Sequence, residues 1–119
     1  MKVTIEFVDP ELDSEDKDAE VQRLLSHARI LDSIKVSRAI DPNPTQESKN
    51  IGSFIVGKLT AEIDGDNAQR FFHFVRARLS KKPIEMEVES NGRRLKLKAS
   101  SPEELAFAVQ QALLFIDKN

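Results

Sequence analysis

The 119-residue chain has no cysteine, tryptophan or tyrosine, and it has only two histidines and four glycines. The absence of cysteine excludes disulfides, thiolate nucleophiles and cysteine zinc sites, and it is compatible with a reducing, cytoplasmic environment. No Gly-x-Ser-x-Gly motif and no glycine-rich phosphate loop occurs in the sequence. We therefore expect a protein that is not an enzyme and that uses no metal and no cofactor.

Long apolar runs and an excess of one charge are also missing. No stretch reaches the roughly 18 apolar residues of a membrane span, and the residues after Met1 predict a strand and not a signal peptide. The 18 Lys and Arg residues nearly balance the 20 Asp and Glu residues, so no bulk field attracts nucleic acid or an anionic membrane. The length and composition predict one folded domain over residues 1–119.

The first third of the chain predicts a strand, a helix and a second strand. Apolar and polar residues alternate over 3–8 and again over 34–40, as in strands with one buried face. The acidic segment 9–20 is interpreted as a solvated loop, and an apolar stripe predicts a helix over about 18–30. This order predicts a right-handed crossover between two parallel, though not necessarily adjacent, strands.

The middle of the chain contains a loop and two expected helices. Residues 41–50, with two prolines and no apolar residue, predict a loop. Residues 51–63 carry isoleucine and leucine at helical spacing and favour a helix, with a short strand over 53–59 as the alternative because two glycines weaken a helix. Asp66 or Asn67 then lies in position to cap a second helix that ends before Pro83.

The clearest local pattern is a β-hairpin around Asn91-Gly92, the favoured two-residue turn. Closing the turn between Ser90 and Arg93 fixes the register of both strands. The register pairs apolar residues on one face and opposite charges on the other. The predicted pairs are Glu89 with Arg94, Glu87 with Lys96, Glu85 with Lys98, Val88 with Leu95, Met86 with Leu97, and Ile84 with Ala99.

A capping box at Ser101-Pro102-Glu103-Glu104 begins a last helix that extends to about Ile116. The expected order is therefore β-α-β-(α-α)-β-β-α. The Glu/Lys pairs of the hairpin make one face of the sheet polar, so the helices should cover the other face. We predict a two-layer α+β sandwich with a mixed sheet of about four strands.

Few residues suggest catalytic chemistry. His27 and His73 are isolated in sequence, and their surroundings lack the spacing of metal ligands. Glu85, Glu87 and Glu89 form an acidic row, but each faces a basic residue across the hairpin. We interpret this row as a solvated salt-bridge ladder.

The segment between Asn67 and Ile84 contains basic residues and no acid. The basic residues of this candidate anion patch are Arg70, Arg76, Arg78, Lys81 and Lys82. Cations near a helix C-terminus offset its dipole, which is the structural interpretation. A small nucleic-acid site is the functional alternative, although the predicted strands lack the exposed aromatic residues that stack on RNA bases.

The last helix carries more apolar residues than one packing face requires. Its main stripe should pack on the sheet, whereas Phe107 and Leu114 lie nearly opposite, flanked by Gln110 and Gln111. Phe74 similarly lies off the main stripe of its own helix. A second apolar patch of this kind predicts a surface for a partner or for self-association, or burial beneath the middle helices.

Several segments together resemble the effector-associated constant component family of bacterial conflict systems. They are VQRLLSHARILDSIKVSRA, IGSFIVGKLTAEI, FFHFVRARLSKKPIEMEVESNGRRLKLKASSPEEL and AFAVQQALLFI. The resemblance implies an adaptor or regulatory component associated with an effector such as a peptidase-like, caspase-like or NTPase module. It carries over no site residue. The middle segment, rich in phenylalanine and charge, differs from the Gly/Ala/Leu-rich helices of the family.

The sequence thus predicts a cytoplasmic protein-interaction module that docks through Phe107 and Leu114, with self-association as a further use of the same surface. The alternative is a small nucleic-acid-binding domain that uses the basic segment 70–82.

Overall fold

The computed structural model describes residues 1–31, 34–40 and 54–117. Within these ranges the chain forms five strands and three helices, with a short 3-10 turn at Gly65–Asn67. The elements are β1 (Lys2–Phe7), α1 (Ser14–Ala28), β2 (Lys35–Ile40), β3 (Phe54–Glu62), α2 (Ala68–Leu79), β4 (Ile84–Ser90), β5 (Arg93–Ala99) and α3 (Pro102–Asp117). The predicted loop at 41–50 lies outside the described residues.

The five strands form one sheet in the order β2-β3-β1-β4-β5. Every neighbouring pair is antiparallel, so the prediction of a mixed sheet is wrong, whereas the five strands roughly match the predicted count of about four. The strands β1 and β2 are nevertheless parallel to each other, as predicted, because both are antiparallel to β3, which lies between them. The α+β class and the helices on one face of the sheet are confirmed.

The described part of 51–63 is the strand β3 and not the favoured helix. Along β3 the side chains of Leu59 and Ala61 are buried against the helical layer, whereas Lys58, Thr60 and Glu62 point to the other face. Both Leu59 and Ala61 pair with buried residues of β1. The strand therefore completes the centre of the sheet, which a helix at this position would have left open.

A bulge in the first half of β3 is held by a contact with α1. The register with β2 shifts between Arg38 and Ile40, and Gly57 has φ +72°. The Gly57 N–H donates to Asp18 Oδ1 at 3.1 Å, and the other carboxylate oxygen of Asp18 accepts from the Arg38 guanidinium. One carboxylate thus ties α1 to both strands at this edge of the sheet.

The hairpin prediction is confirmed in every pair. Asn91 and Gly92 have φ of 53° and 77°, the positive values that a type I′ turn requires. Ser90 pairs with Arg93 at the turn, as expected. The register of this hairpin therefore follows from local alternation and turn chemistry.

All three helices pack on one face of the sheet. The helix α1 begins at Ser14, four residues before the predicted start, because Asp13 caps it by accepting from the Asp16 N–H at 2.8 Å. It covers β2 and β3, and α3 covers β5. The helix α2 lies between them, with a groove on each side. No helix in the described ranges is long and apolar enough to cross a membrane.

Candidate docking surface on the C-terminal helix

The start of α3 is fixed by the predicted capping box, in a slightly altered form. Ser101 Oγ accepts from the Glu104 N–H at 3.1 Å. Glu104 accepts from the Ser100 N–H at 2.8 Å and from its hydroxyl at 2.9 Å, one residue before the expected partner. The hydrogen bond from the Ser100 backbone N–H makes the largest contribution to holding the pKa of Glu104 below its usual range, and the bond from the Ser100 hydroxyl acts in the same direction.

The fixed start determines which face of α3 meets the sheet. The residues of α3 that are buried are Leu105, Ala108, Val109 and Ala112. Phe107 and Leu114 lie on the opposite face and are 62% and 46% exposed. Gln110 is exposed and Gln111 is half-buried beside them. The outward position that the sequence pattern indicates for Phe107 and Leu114 is therefore the position that the structure shows.

A groove of about 540 Å³ lies between α2 and α3, next to this face. It is lined by His73, Arg76, Glu103, Ala106, Phe107, Val109, Gln110 and Leu113. The α3 wall is mostly apolar, whereas the α2 wall carries His73 and Arg76. We call Phe107, Leu114 and this groove the α3 surface.

Phe74 does not belong to the α3 surface. It is only 8% exposed and is part of the hydrophobic core, and the Arg78 guanidinium lies 5.9 Å from the centre of its ring. The prediction of a partner-binding role for Phe74 is therefore wrong. A helical wheel with a single packing face does not describe α2. This helix lies between α1 and α3, so that residues on its flanks are buried as well as those that face the sheet.

The five basic residues between 70 and 82 do not form one patch. Arg76 lines the α2/α3 groove, whereas Arg78 and Lys82 line the groove between α1 and α2. Arg70 is exposed near the start of α2, where its guanidinium lies 3.4 Å from the Asn67 side chain. Asn67 itself makes no side-chain capping bond, and neither does Asp64 at the preceding turn. The basic segment is thus divided around the helix.

One of these cations already has a partner. Lys82 Nζ lies 3.0 Å from Glu20 Oε1 of α1, and the same oxygen accepts from Arg23 at 2.7 Å. Burial alone would raise the pKa of Glu20, but the hydrogen bonds from Lys82 and Arg23 outweigh it and leave the pKa below its usual range. Lys82 therefore has a structural role between α1 and α2.

The acidic row of β4 lies in a salt-bridge ladder on the open face of the sheet, as predicted, although Glu87 forms its ion pair with Arg94 and not with Lys96, its neighbour in register. Glu85 lies 3.3 Å from Lys98, and Arg94 lies 3.4 Å from Glu89 and 3.7 Å from Glu87. The basic partners are mostly exposed, so these ion pairs contribute little individually. A shallow groove of about 280 Å³ crosses this face beside Glu6 and Lys58.

The two histidines lie in different grooves. His27 lines the groove between α1 and α2, and His73 lines the one between α2 and α3. Within residues 1–31, 34–40 and 54–117, no group of three or more histidines or carboxylates is close enough to hold a metal ion. Sequence reasoning did not connect His73 and Arg76 with the α3 surface, because their proximity depends on how α2 packs beside α3.

Comparisons with known proteins give no relative from which a function could be transferred. No protein-family model, no curated protein and no solved structure matches the chain.

Proposed function

We propose that this protein is an interaction module that docks onto a partner protein through the α3 surface and catalyses no reaction itself. The observation that carries the proposal is the exposure of Phe107 and Leu114 on one line of α3. The two residues are seven positions apart, which is about 10 Å along a helix. Large apolar side chains that enter a partner's pocket dominate the energy of an interface, while polar neighbours such as Gln110 exclude water.

The resemblance to effector-associated constant components supports a partner of a particular kind. We propose an effector protein of a bacterial defence or signalling system, such as a peptidase-like or NTPase module, in the cytoplasm. The division of the basic segment around α2, and the pairing of Lys82 with Glu20, favour this function over the nucleic-acid alternative. A phosphate-binding surface gains its affinity from cations that act together.

The test is co-expression with each protein encoded beside this one, followed by calorimetric titration of the purified pair. We expect the double variant F107A/L114A to weaken the complex by about tenfold or more. The matched control is Ile30→Ala, because Ile30 is 67% exposed but lies after α1, away from α3. An equal loss with Ile30→Ala, or an undiminished affinity of F107A/L114A, would contradict the proposal.

Two further measurements separate the alternatives. Light scattering after size-exclusion chromatography detects self-association, and F107A/L114A should abolish it if the α3 surface is used for this purpose. A complex with nucleic acid should weaken steeply as salt is raised, whereas an apolar interface changes little. Binding of DNA or RNA that is lost with salt, in the absence of any protein partner, would favour the alternative function.

A further inference from the structure

The groove beside the exposed residues of α3 has two unlike walls. The α3 wall presents Ala106, Phe107 and Leu113, and the α2 wall presents His73 and Arg76. The α2 sequence, AQRFFHFVRARL, contains no acidic residue. Any segment that lies in this groove therefore meets an apolar surface on one side and positive charge on the other.

Arg76 is available to a partner. It is exposed, and it forms no ion pair with a carboxylate in the described part of the chain, although Glu103 lines the same groove. By contrast, Lys82 on the other side of α2 is already paired with Glu20. The charge of Arg76 thus lies on the α3 side of α2, next to the exposed apolar residues, whereas the guanidinium of Arg78 in the other groove lies over the ring of Phe74.

The shape of the groove fits a helix better than an extended strand. Its walls are helix surfaces, and neither has the free backbone N–H and C=O groups to which an added strand would bond. A helix that lies along it can place residues at i, i+3, i+4 and i+7 against Phe107 and Leu114. The polar edge of that helix then lies over α2.

We propose that the α3 surface receives an amphipathic helix of the partner protein whose edge toward α2 is acidic. This inference rests on the proposed function and names the chemistry of its ligand. Carboxylates of the incoming helix pair with Arg76, and Glu103 at the α3 wall disfavours the reversed arrangement in which the acidic edge faces α3. Charge complementarity of this kind selects the partner and its orientation, while the apolar contacts supply most of the affinity.

The test uses two stapled, fluorescein-labelled peptides of about 20 residues, long enough to be helical. Both carry leucines at i, i+3, i+4 and i+7, and one has glutamates along one edge where the other has lysines. Fluorescence polarisation with the full chain should show about tenfold tighter binding of the glutamate peptide. Arg76→Glu should remove or reverse this preference, and F107A/L114A should weaken both peptides.

The control is Arg29→Glu, because Arg29 is exposed beyond the end of α1 and outside the groove. It should leave the preference between the peptides unchanged. Equal binding of the two peptides, no binding of either, or an equal effect of Arg29→Glu and Arg76→Glu would overturn the inference. If F107A/L114A still weakens the complex with the co-expressed partner in that case, the proposed function stands and only the nature of its ligand is wrong.

Discussion

Lys82 Nζ, just beyond the end of α2, lies 3.0 Å from the carboxylate of Glu20 on α1, 62 residues earlier in the chain. The Glu20 side chain is 13% exposed and that of Lys82 is 36% exposed, so this ion pair is better shielded from water than those of the sheet face. We expect Glu20→Gln to destabilise the fold by about 1 kcal/mol. Urea unfolding followed by circular dichroism measures this, since the chain has no tryptophan or tyrosine.

A double-mutant cycle with Lys82→Gln isolates the pair. The coupling between Glu20 and Lys82 should exceed that of the exposed pair Glu89 and Arg94, which we expect to be below about 0.5 kcal/mol. Equal coupling in the two cycles would show that Glu20 and Lys82 do not act as a bridge between α1 and α2.

The lowered pKa of Glu20 also predicts how stability depends on pH. Hydrogen bonds from Lys82 and Arg23 depress the pKa in the folded state, so the unfolded chain binds the proton more readily. The stabilisation is fully present above the unfolded pKa of about 4.3 and is lost as the pH falls through the lower, folded value. Glu104, whose pKa is lowered by Ser100, acts in the same direction.

Thermal unfolding between neutral and acidic pH checks this. Glu20→Gln should flatten the acid side of the stability profile, because the variant no longer takes up that proton on unfolding. An unchanged loss of stability in acid would show that other carboxylates determine the profile.

The outcome at β3 shows why part of the fold was predictable and part was not. The spacing i, i+4 places residues such as Leu59 and Ile63 on one face of a helix, but an even spacing also places them on one face of a strand. The residues that distinguish the two are Gly57 and Ala61, which are buried between the large residues. Because Gly57 and Ala61 are small, the sequence does not mark them as buried residues. The alternation of buried positions with Lys58, Thr60 and Glu62 is therefore not apparent from the sequence.

The register of the hairpin could be predicted, because it depends on the turn residues and on the alternation within the two strands. The packing of α2 could not, because it depends on the helices on both sides. The wheel of α3 gave the correct outward positions for Phe107 and Leu114, since α3 covers the edge strand β5 and its outer side is open. The same reasoning failed for Phe74, because α2 lies between two other helices. The position of Arg76 beside the α3 surface could not be predicted either, because it depends on how α2 packs against α3.

Replacing single glycines by alanine tests the bulge, because the expected loss of stability differs from one glycine to the next. Gly57 and Gly92 both have positive φ, but a Cβ at Gly57 would lie 3.0 Å from Lys17 Cβ, whereas a Cβ at Gly92 would meet nothing within 4 Å. Gly92→Ala should therefore cost about 1 kcal/mol, the strain of the left-handed backbone alone. Gly57→Ala should cost more, because α1 must also shift and the bond to Asp18 is disturbed.

Gly65→Ala serves as the control, because its backbone is not left-handed and the position is open. It should change the free energy of unfolding by no more than about 0.5 kcal/mol. If Gly57→Ala proved as mild as Gly65→Ala, the close approach of α1 to the bulge would not exist in solution.

Phe74 and Phe107 test the division between core and surface directly. Phe74 is 8% exposed, and its truncation to alanine should leave a cavity and cost about 3 kcal/mol. Phe107 is 62% exposed, so Phe107→Ala should alter stability by no more than about 0.5 kcal/mol. Urea unfolding of the two variants measures the contrast, with Leu114→Ala expected to behave like Phe107→Ala. The stability of Phe107→Ala matters most, because a large apolar side chain that lies on the surface and does not stabilise the fold is available for binding. A large loss of stability at Phe107 would place it in the core and remove the basis for docking through α3.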